Sequence, residues 1–589
     1  MGCSSSSSKD KRSETMLKAT LIIQNWYRGN RARLKARQQY ALAIFRSIEY
    51  ADEQGQMQLS SFFSFMLENY AHVHQDDPKL VNRLVKIQHD IKNSRDLVDL
   101  IVVPDSYDGP RLQFPLTFTD IVSLVEAFKQ QQILHAHYVL EVLIETKRVL
   151  MQMPNITHVK TSPSKEITIC GDLHGKLDDL CLIFYKNGLP SENNPYVFNG
   201  DFVDRGKNSI EILMILFVSF LVFPEDLHLN RGNHEDFMMN LRYGFTKEIL
   251  HKYKLHGKRI LQILEELYTW LPIGTIIDDE VLVIHGGISE STDLNLLHRL
   301  ERNKMRSVLI PPMKDSGEYA TDLKQNKVGE TVTAPGRIKP NESPSEDLSV
   351  CEWKQVVTVF SASNYYEEGS NRGAYIKLSS GMNPQFFQYQ VTKATCLKPF
   401  YKRVNTLEMS AIKILKERII ARKSDLICAF QLEDKKNSGQ ISVSQWAFCM
   451  ESILRLNLPW RSLSLHLVDI DRDGKVDYMS SFHDIHIEKP VKEVHSALIE
   501  TLYRYRSDLE TVFNIIDSDH SGLISMEEFR AMWKLFRSHY SVPIEDSQVD
   551  YLANAMDVNK DGSIDFNEFL KAFHVVHRYE KLKKDVNFG

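Results

Sequence analysis

Three short polar clusters, each directly after a short apolar run, limit the folds open to this chain more than any other feature. The clusters are GDLHG at 171–175, GDFVDRG at 200–206 and RGNHE at 231–235, and the apolar runs lie at 167–170, 196–198 and 227–229. Apolar runs of this length are typical of buried parallel strands. The polar side chains then emerge at the carboxyl ends of adjacent strands, where α/β sheets have their sites. The pattern predicts an α/β sheet with one site at its edge.

The residue types in the clusters indicate a pair of divalent metal ions. Asp and His ligands with one bridging Asp suit two ions about 3.5–4 Å apart, the arrangement used for in-line attack on phosphorus. Glycines beside the ligands allow the backbone to approach a metal or a phosphate closely. Gly-Asp pairs also form ordinary turns. That alternative explains a single cluster, but not three of them in order between residues 171 and 235.

The three clusters resemble the metallophosphoesterase signature of the Ser/Thr protein phosphatases. VLVIHGGI at 281–288 and FSASNY at 360–365 extend the resemblance, which covers roughly residues 115–390. With the two ends of the chain added, the whole resembles the protein phosphatases with EF-hands, the retinal degeneration C group. The resemblance implies a metallophosphoesterase sandwich of two sheets flanked by helices, with all-α EF-hand lobes and an N-terminal basic IQ helix.

The resemblance also implies a catalytic site with two divalent ions of the Mn²⁺ or Fe/Zn class, where metal-activated water hydrolyses phosphoserine and phosphothreonine in proteins. The implied ligands are Asp172 and His174 for the first ion, Asp201 as the bridge, and Asn233 and His285 for the second. A lone histidine after a strand is more often part of a core. The position of His285 between Val-Leu-Val-Ile and Gly-Gly favours the ligand interpretation.

Four further residues take catalytic roles by the same resemblance. His234 would protonate the leaving oxygen, with Asp204 orienting its imidazole. Arg205 would clamp the phosphate oxygens, and Tyr365 matches a tyrosine at the mouth of the site.

The chain departs from the family pattern between His285 and Ser361. The pattern calls there for a Trp-Ser-Asp-Pro segment, a second phosphate-binding arginine and an Arg-x-His that supplies the last ligand of the second metal, and the chain has none of them. The polar tract 311–349 has the composition of a disordered insertion. The run Val356–Phe360 that follows it is predicted to be the final strand of the sheet. Because the break is abrupt, we interpret it as a spliced-out exon. The competing hypothesis is therefore a catalytically impaired scaffold that binds Ca²⁺ and calmodulin.

A third hypothesis is a nucleotide or polyphosphate hydrolase, since such enzymes share GDxHG and GNHE. The Ser-Ala-Ser-Asn-Tyr segment and a long helical lead-in at 119–151 argue against it.

The N-terminal region predicts two binding features. Gly2 and Cys3 fit N-myristoylation and palmitoylation, and the two acyl groups together would anchor the chain to a membrane surface. The alternative is a serine-rich tail without acylation.

A basic helix between Ala19 and Arg37 follows the spacing IQxxxRGxxxR, carried by Ile23, Gln24, Arg28, Gly29 and Arg33. Basic helices with apolar anchors suit calmodulin, although such a helix can also lie on a membrane or on its own catalytic domain.

The C-terminal third contains two complete calcium loops. Their predicted ligands are Asp517, Asp519, Ser521 and Glu528 in one loop, and Asp557, Asn559, Asp561 and Glu568 in the other. Oxygen ligands at positions 1, 3, 5 and 12 around a glycine at position 6 are what Ca²⁺ requires. A third loop at 469–480 has Ser480 at position 12, which predicts a weak site at best. A fourth, at 434–445, has Lys436 at position 3, which predicts a structural hand.

Composition limits the remaining possibilities. A formal net charge of −5 gives no reason to expect nucleic-acid binding. Seven scattered cysteines without a CxxC pair favour a reducing, cytoplasmic compartment, with membrane association through the acylated end. The apolar run 212–223 is too short to span a bilayer and indicates a core helix.

The predicted organisation is an acylation tail at 1–15, an IQ helix at 16–45, a helical linker at 46–114, a catalytic domain at 115–400 and an EF-hand region at 415–589.

Overall fold

A computed structural model of the protein describes residues 6–68, 98, 101–288, 292–310, 356–381, 383–392, 400–483, 485–487, 496–516, 523–525, 529–530, 533, 539, 550, 553–554, 560, 563–565 and 575–577. The helices are α1 (Ser6–Glu68), α2 (Phe118–Lys129), α3 (Ala136–Leu150), α4 (Leu177–Asn187), α5 (Ser209–Val222), α6 (Phe237–Tyr243), α7 (Phe245–Lys252), α8 (Gly257–Tyr268), α9 (Leu294–Arg299), α10 (Phe400–Ile420), α11 (Lys423–Glu433), α12 (Val443–Leu454), α13 (Trp460–Leu467), α14 (Ser496–Arg504) and α15 (Arg506–Ile516). The strands are β1 (Ile156–Val159), β2 (Ile167–Cys170), β3 (Tyr196–Phe198), β4 (Leu227–Leu229), β5 (Gly274–Ile277), β6 (Val281–Ile284), β7 (Gly373–Leu378), β8 (Pro384–Tyr389), β9 (Gln440–Ser442), β10 (Asp469–Ile470), β11 (Lys475–Asp477), β12 (Ile485–Ile487), β13 (Leu523–Ser525), β14 (Ser563–Asp565) and β15 (Val575–His577).

The central sheet of the catalytic region has the strand order β4-β3-β2-β7-β8. Strands β2, β3 and β4 run parallel, with Cys170 opposite Phe198 and Phe198 opposite Leu229. Every residue of these three strands is buried, as expected of parallel strands covered on both faces. The parallel α/β sheet predicted from the three apolar runs is therefore confirmed. Strands β7 and β8 extend the sheet in antiparallel order.

A second sheet packs against the first one. Its order is β1-β5-β6, with β1 parallel and β6 antiparallel to β5. The core between the sheets is formed by apolar side chains from both: Val159, Ile277 and Val283 from the second sheet, and Ile167, Ile169, Val197, Ile376 and Leu378 from the first. Two sheets joined by such a core and flanked by helices form the metallophosphoesterase sandwich that the resemblance implied.

Helices cover the outer face of the central sheet. Residues 209 to 220 of α5 are all buried, which confirms that this apolar run is a core helix. The predicted lead-in at 119–151 consists of two helices, α2 and α3, separated by a loop at 130–135. Both helices pack on α5 and belong to the same apolar core.

One sequence-based prediction about the sheet was wrong. Val356–Phe360 was expected to be the final strand, but Phe360 makes only a single bridge to Asp172. The edge of β2 that this segment would need is paired with β7, which places Ile376 opposite Ile169. The segment therefore meets the sheet only beyond the end of β2, where the Ser361 amide donates to the Asp172 carbonyl oxygen at 3.1 Å.

The N-terminal helix α1 is 63 residues long and includes the basic helix predicted between Ala19 and Arg37. Its middle part packs along α10 and forms ion pairs there, Arg37 with Glu408 and Asp52 with Arg418. Further along, Ala41, Ile44, Phe45 and Ile48 enter an apolar core with α10 and the helices that follow it.

Short strands pair in two places of the C-terminal region, where EF-hand lobes are predicted. Strand β9 pairs with β11, with Ile441 opposite Val476, and β13 pairs with β14, with Ile524 opposite Ile564. Such pairing between consecutive loops is expected of paired EF-hands. We refer to the hands near 434–445 and 469–480 as the first lobe, and to those near 517–528 and 557–568 as the second lobe.

In the part of the chain that the structure describes, no helix is both long enough and apolar enough to cross a membrane.

Candidate functional site

The carboxyl ends of four strands bring the predicted metal ligands to one place. The three polar clusters follow β2, β3 and β4, and His285 follows β6 of the second sheet. Its Nε2 lies 3.4 Å from Asp201 Oδ2 and 3.0 Å from Asn233 Oδ1. On the other side of Asp201, His174 Nε2 is 3.7 Å from Asp201 Oδ2 and 3.8 Å from Asp172 Oδ2. The site therefore lies where the ends of the two sheets meet.

Both predicted imidazole ligands are oriented by the backbone. His174 Nδ1 lies 3.0 Å from the Val203 carbonyl oxygen, and His285 Nδ1 lies 2.8 Å from that of Asn199. An Nδ1–H that donates to a carbonyl leaves the lone pair of Nε2 for a metal. Burial and the neighbouring His234 lower the pKa of His174 to about 3. Its ring is therefore neutral, which is the form that binds metals.

The donor set fits two divalent cations that share one carboxylate. Ligand atoms of His174, Asp201 and His234 lie within 4.8 Å of one another, and so do those of Asp172, Asp201 and His285. Burial and the adjacent Asp201 raise the pKa of Asp172 to about 7. Burial also pushes the pKa of Asp201 upward, but the surrounding imidazoles outweigh this effect and bring it down to about 2. Two carboxylates this close repel each other, and divalent ions between them would remove the repulsion.

His234 forms a buried pair with Asp204. His234 Nδ1 lies 2.8 Å from Asp204 Oδ2. Burial alone would lower the pKa of His234, but Asp201 and Asp204 raise it to about 9. The imidazole is then protonated at neutral pH, as a proton donor must be. His234 also lies close enough to His174 and Asp201 to share a metal with them. The assignment by resemblance did not include His234 among the ligands.

Asn240 is a site residue that sequence reasoning missed. Its Nδ2 donates to Asp204 Oδ2 at 3.0 Å and to the His234 carbonyl oxygen at 2.8 Å. The backbone amide of Phe245 also donates to Asp204, to Oδ1 at 3.0 Å. Asp204 is therefore held from three sides. In the sequence, the sign of this role is the position of Asn240, six residues after His234 on the helix that follows RGNHE.

The backbone of the site is strained, and Glu235 holds it in place. His174, Asp201, Asp204 and Arg205 have φ values of 43°, 55°, 70° and 66°, which residues with a Cβ rarely adopt. The buried carboxylate of Glu235 accepts hydrogen bonds from the backbone amides of Asp201 at 2.7 Å, Phe202 at 2.8 Å and Gly232 at 2.8 Å. One side chain thus joins the second cluster to the third.

The segment 361–371 is fixed beside the first cluster. Asp179 on α4 accepts from the Ser363 hydroxyl at 2.6 Å and from its amide at 3.1 Å. Gly171 is required at the crossing point, because a Cβ there would lie 2.1 Å from the Val359 carbonyl oxygen. This packing places the Tyr365 ring 5.3 Å from the ring of His174.

Arg205 and Tyr365 meet an acidic residue of α1. The guanidinium carbon of Arg205 lies 4.3 Å from the centre of the Tyr243 ring and 5.7 Å from that of Tyr365. Arg205 Nη2 is 3.6 Å from Glu49 Oε1, and the Tyr365 hydroxyl donates to the same oxygen at 3.1 Å. Nothing in the sequence around Glu49 indicated this contact.

The remaining predicted site residues divide into two groups. The five residues of the IQ spacing lie on the N-terminal part of α1, where Ile23 and Trp26 are 63% and 64% exposed. The acylation residues Gly2 and Cys3 and the eight calcium ligands of the second lobe lie outside the described residues. In the first lobe, the Ser480 hydroxyl accepts from the Asp469 amide at 2.8 Å and donates to the Asp477 carbonyl oxygen at 2.5 Å. Position 12 of that loop therefore provides no carboxylate.

Comparison with known proteins identifies three regions. A family model described as calcineurin-like phosphoesterase matches residues 165–336, an EF-hand domain pair matches 506–574, and a PPP5 TPR repeat region matches 83–158. Human serine/threonine-protein phosphatase with EF-hands 1 is 69% identical, and the alignment covers 99% of each chain. Human serine/threonine-protein phosphatase with EF-hands 2 is 40% identical over 96% of this chain and 95% of its own. Drosophila melanogaster serine/threonine-protein phosphatase rdgC is 35% identical over 98% and 92%.

The first of these alignments extends over 646 positions. This chain has 589 residues, so the alignment includes positions that the relative has and this chain lacks.

Proposed function

The chain belongs to the family of serine/threonine protein phosphatases with EF-hands, and from this premise we propose that it hydrolyses phosphoserine and phosphothreonine in proteins at the site around Asp201. The observation that carries the proposal is the buried Asp201 carboxylate, which belongs to both groups of potential metal ligands. Asp172 and His174 would hold one divalent ion, Asn233 and His285 the other, and Asp201 both. When bound, the two ions would supply Lewis-acid activation of water and of the phosphate.

The protein residues around this pair would bind the phosphate and deliver a proton. Arg205 would bind phosphate oxygens and stabilise the charge that develops on them. His234 would donate a proton from Nε2 to the leaving serine or threonine oxygen, since its Nδ1 is bonded to Asp204. A pKa of about 9 keeps that proton on the imidazole at neutral pH. Tyr365 would close one side of the substrate opening.

A second candidate function is a catalytically impaired scaffold that binds Ca²⁺ and calmodulin. The observation that favours it is the missing segment before Ser361, which in the family supplies a ligand and an arginine. Removing one preorganised stabiliser of transition-state charge typically lowers the rate by about 10²–10³. A nearby acidic side chain could replace the ligand, but Glu367 Oε1 accepts from Ser410 of α10 at 3.0 Å.

Hydrolysis of a phosphoserine peptide with millimolar Mn²⁺ tests both candidates. This chain is compared with a version in which the missing segment is restored, and His234→Asn in the restored chain is the control for background activity. We expect the restored chain to be faster by about 10² or more. Equal rates for the two chains would refute the impairment. Turnover by neither chain would refute the phosphatase, and preference for a dinucleoside polyphosphate would favour the third hypothesis.

Calmodulin is the proposed partner of the N-terminal part of α1. The exposed apolar residues of this part lie between Met16 and Tyr27, directly before Arg28, Arg31 and Arg33. Apolar anchors next to basic residues suit an acidic, methionine-rich groove. A membrane surface is the proposed second partner, through acylation of Gly2 and Cys3. Cell fractionation of Gly2→Ala tests the second proposal, since an unchanged membrane pool would contradict it.

A further inference from the structure

The end of helix α6 lies against the arginine that is proposed to bind phosphate. The helix ends at Tyr243, and Gly244 closes it in the left-handed conformation with a φ of 109°. The last carbonyl groups of a helix have no hydrogen-bond partner within it. The carbonyl oxygen of Tyr243 accepts from the backbone amide of Arg205 at 3.2 Å. The helix end therefore fixes the main chain of Arg205, whose φ of 66° is unusual for a residue with a Cβ.

The ring of Tyr243 also holds the side chain of Arg205. The guanidinium carbon lies 4.3 Å from the centre of the Tyr243 ring and 5.7 Å from that of the Tyr365 ring. Aromatic rings attract a cation placed over them, and the attraction grows when the cation is withdrawn from water. Because the Tyr243 ring is the closer of the two, it has the stronger hold on the guanidinium.

This contact leaves the hydrogen-bond donors of Arg205 available. A guanidinium has five N–H donors in a planar fork, and an aromatic ring attracts it without offering a lone pair from an oxygen. Glu49 Oε1 lies 3.6 Å from Nη2, beyond hydrogen-bond distance. The ring thus sets the position of the arginine in advance, whereas an oxygen acceptor in its place would occupy donors that phosphate needs.

The same ring contacts the proposed proton donor. The centres of the Tyr243 and His234 rings lie 5.0 Å apart, with the ring planes at 49° to each other. Tilted aromatic rings at this distance attract each other. The hydroxyl of Tyr243 has a different partner, because it accepts from Nε2 of Gln56 on α1. The ring of Tyr243, and not its hydroxyl, is therefore what the two site residues share.

We propose that Tyr243 is a positioning residue of the phosphatase site, which orients Arg205 for phosphate binding through its ring and its carbonyl oxygen. The proposal rests on the proposed function, because that function assigns the phosphate to Arg205. The alternative is that Tyr243 only packs at the helix end and supports the fold. A positioning role requires that the ring matters, that the hydroxyl does not, and that the effect disappears when Arg205 is removed.

Calorimetric binding of inorganic phosphate to the Mn²⁺-loaded full-length chain tests this without requiring turnover. Tyr243→Phe keeps the ring and loses only the contact with Gln56, so its phosphate affinity should stay within about 2-fold of the wild type. Tyr243→Leu loses the ring, and its affinity should fall by about 5-fold, since cation–ring contacts change an equilibrium by about 2- to 30-fold. Phe237→Leu removes a ring from the other end of α6. It is the matched control and should bind phosphate as the wild type does.

A double-variant comparison separates positioning from packing. If Tyr243 acts through Arg205, Tyr243→Leu should cause no further loss of phosphate affinity in a chain that already carries Arg205→Ala. An equal loss in both backgrounds would overturn the proposal, and so would a wild-type affinity in Tyr243→Leu or an equal loss in Tyr243→Phe. Thermal unfolding establishes that each variant is folded. If Tyr243→Leu does not fold, Tyr243→Met takes its place, because it fills more of the volume without an aromatic ring.

Hydrolysis of a phosphoserine peptide by the same variants separates this proposal from the proposed function. A chain that binds phosphate with the expected pattern but hydrolyses no peptide would refute the phosphatase alone. A wild type that hydrolyses the peptide, with kcat and KM unchanged in Tyr243→Leu, would refute the role of Tyr243 alone. A wild type that neither binds phosphate nor hydrolyses the peptide would overturn both.

Discussion

At the scale of single residues, the contact of Glu49 with Arg205 and Tyr365 has the most direct consequence for substrate binding. Its carboxylate lies 3.6 Å from the arginine proposed to bind phosphate and accepts from the Tyr365 hydroxyl. A carboxylate and a phosphate are both anions, so they compete for the same guanidinium.

We predict that Glu49→Gln increases the affinity for inorganic phosphate. The substitution keeps the shape of the side chain and removes its charge. Partly exposed ion pairs of this kind change a binding affinity by about 2- to 5-fold. Calorimetric titration of the Mn²⁺-loaded chain measures the effect. Glu53→Gln, at the next glutamate of α1, is the control, and an equal gain in both variants would attribute the effect to overall charge.

The His234–Asp204 pair predicts a pH dependence of stability. The pKa of His234 is raised from about 6.5 in the unfolded chain to about 9 in the folded one. A raised pKa stabilises the folded chain fully below about pH 6.5, and this stabilisation is lost as the pH rises through about 9. We therefore expect the metal-free chain to become less stable across that window. Urea unfolding at several pH values with a chelator measures it, and a dependence equally steep in His234→Asn would contradict the assignment.

At the scale of elements, α1 has two distinct halves. Seven apolar residues between Ala41 and Phe63 are buried in the cores of both lobes. The N-terminal part instead exposes a run of large apolar side chains: Met16, Leu17, Leu21, Ile22, Ile23, Trp26 and Tyr27. Exposed apolar surface of this extent on a basic helix is typical of a binding segment.

We predict that a peptide of residues 16–40 binds calmodulin and that reversing the charge of Arg28 and Arg33 abolishes binding. The arginines would pair with the acidic rim of the calmodulin groove, so reversed charges would repel it. Fluorescence of Trp26 measures the binding. An unchanged affinity of the reversed peptide would mean that the IQ spacing is accidental.

At the scale of the whole molecule, we expect the missing segment to have supported the second sheet as well as the site. Strand β6 is only partly covered, with three of its four residues half-buried, whereas β5 is almost completely buried. Burying a Val or Leu side chain completely contributes about 1.5–3 kcal/mol. We expect the chain with the restored segment to unfold at a higher temperature in its catalytic region by several degrees. Differential scanning calorimetry of the two chains tests this, and identical transitions would contradict it.

The two complete loops predict the calcium capacity of the whole chain. We expect two sites with dissociation constants of roughly 10⁻⁷–10⁻⁵ M. Glu528→Gln combined with Glu568→Gln removes the bidentate ligand from each loop and should abolish both sites in calorimetry. Asp469→Asn in the first lobe is the matched control and should leave them intact. Undiminished binding in the double variant would show that other residues hold the calcium.

The sequence alone determined the features that depend on short-range pattern. The three clusters follow their strands within a few residues, so local apolar runs were enough to predict the parallel sheet and the residue types at its edge. The paired loops of the second lobe could also be predicted from the sequence. Calcium coordination requires oxygen ligands at fixed positions within twelve residues, so the pattern is local.

Only the tertiary structure decided the contacts between distant parts of the chain. Glu49 meets Tyr365 and Arg242 meets Asp508 across more than 260 residues, and no local periodicity encodes such pairs. The same reason explains the wrong strand at Val356–Phe360. A β-propensity run needs a free sheet edge, and whether β7 already occupies that edge depends on how the whole chain packs.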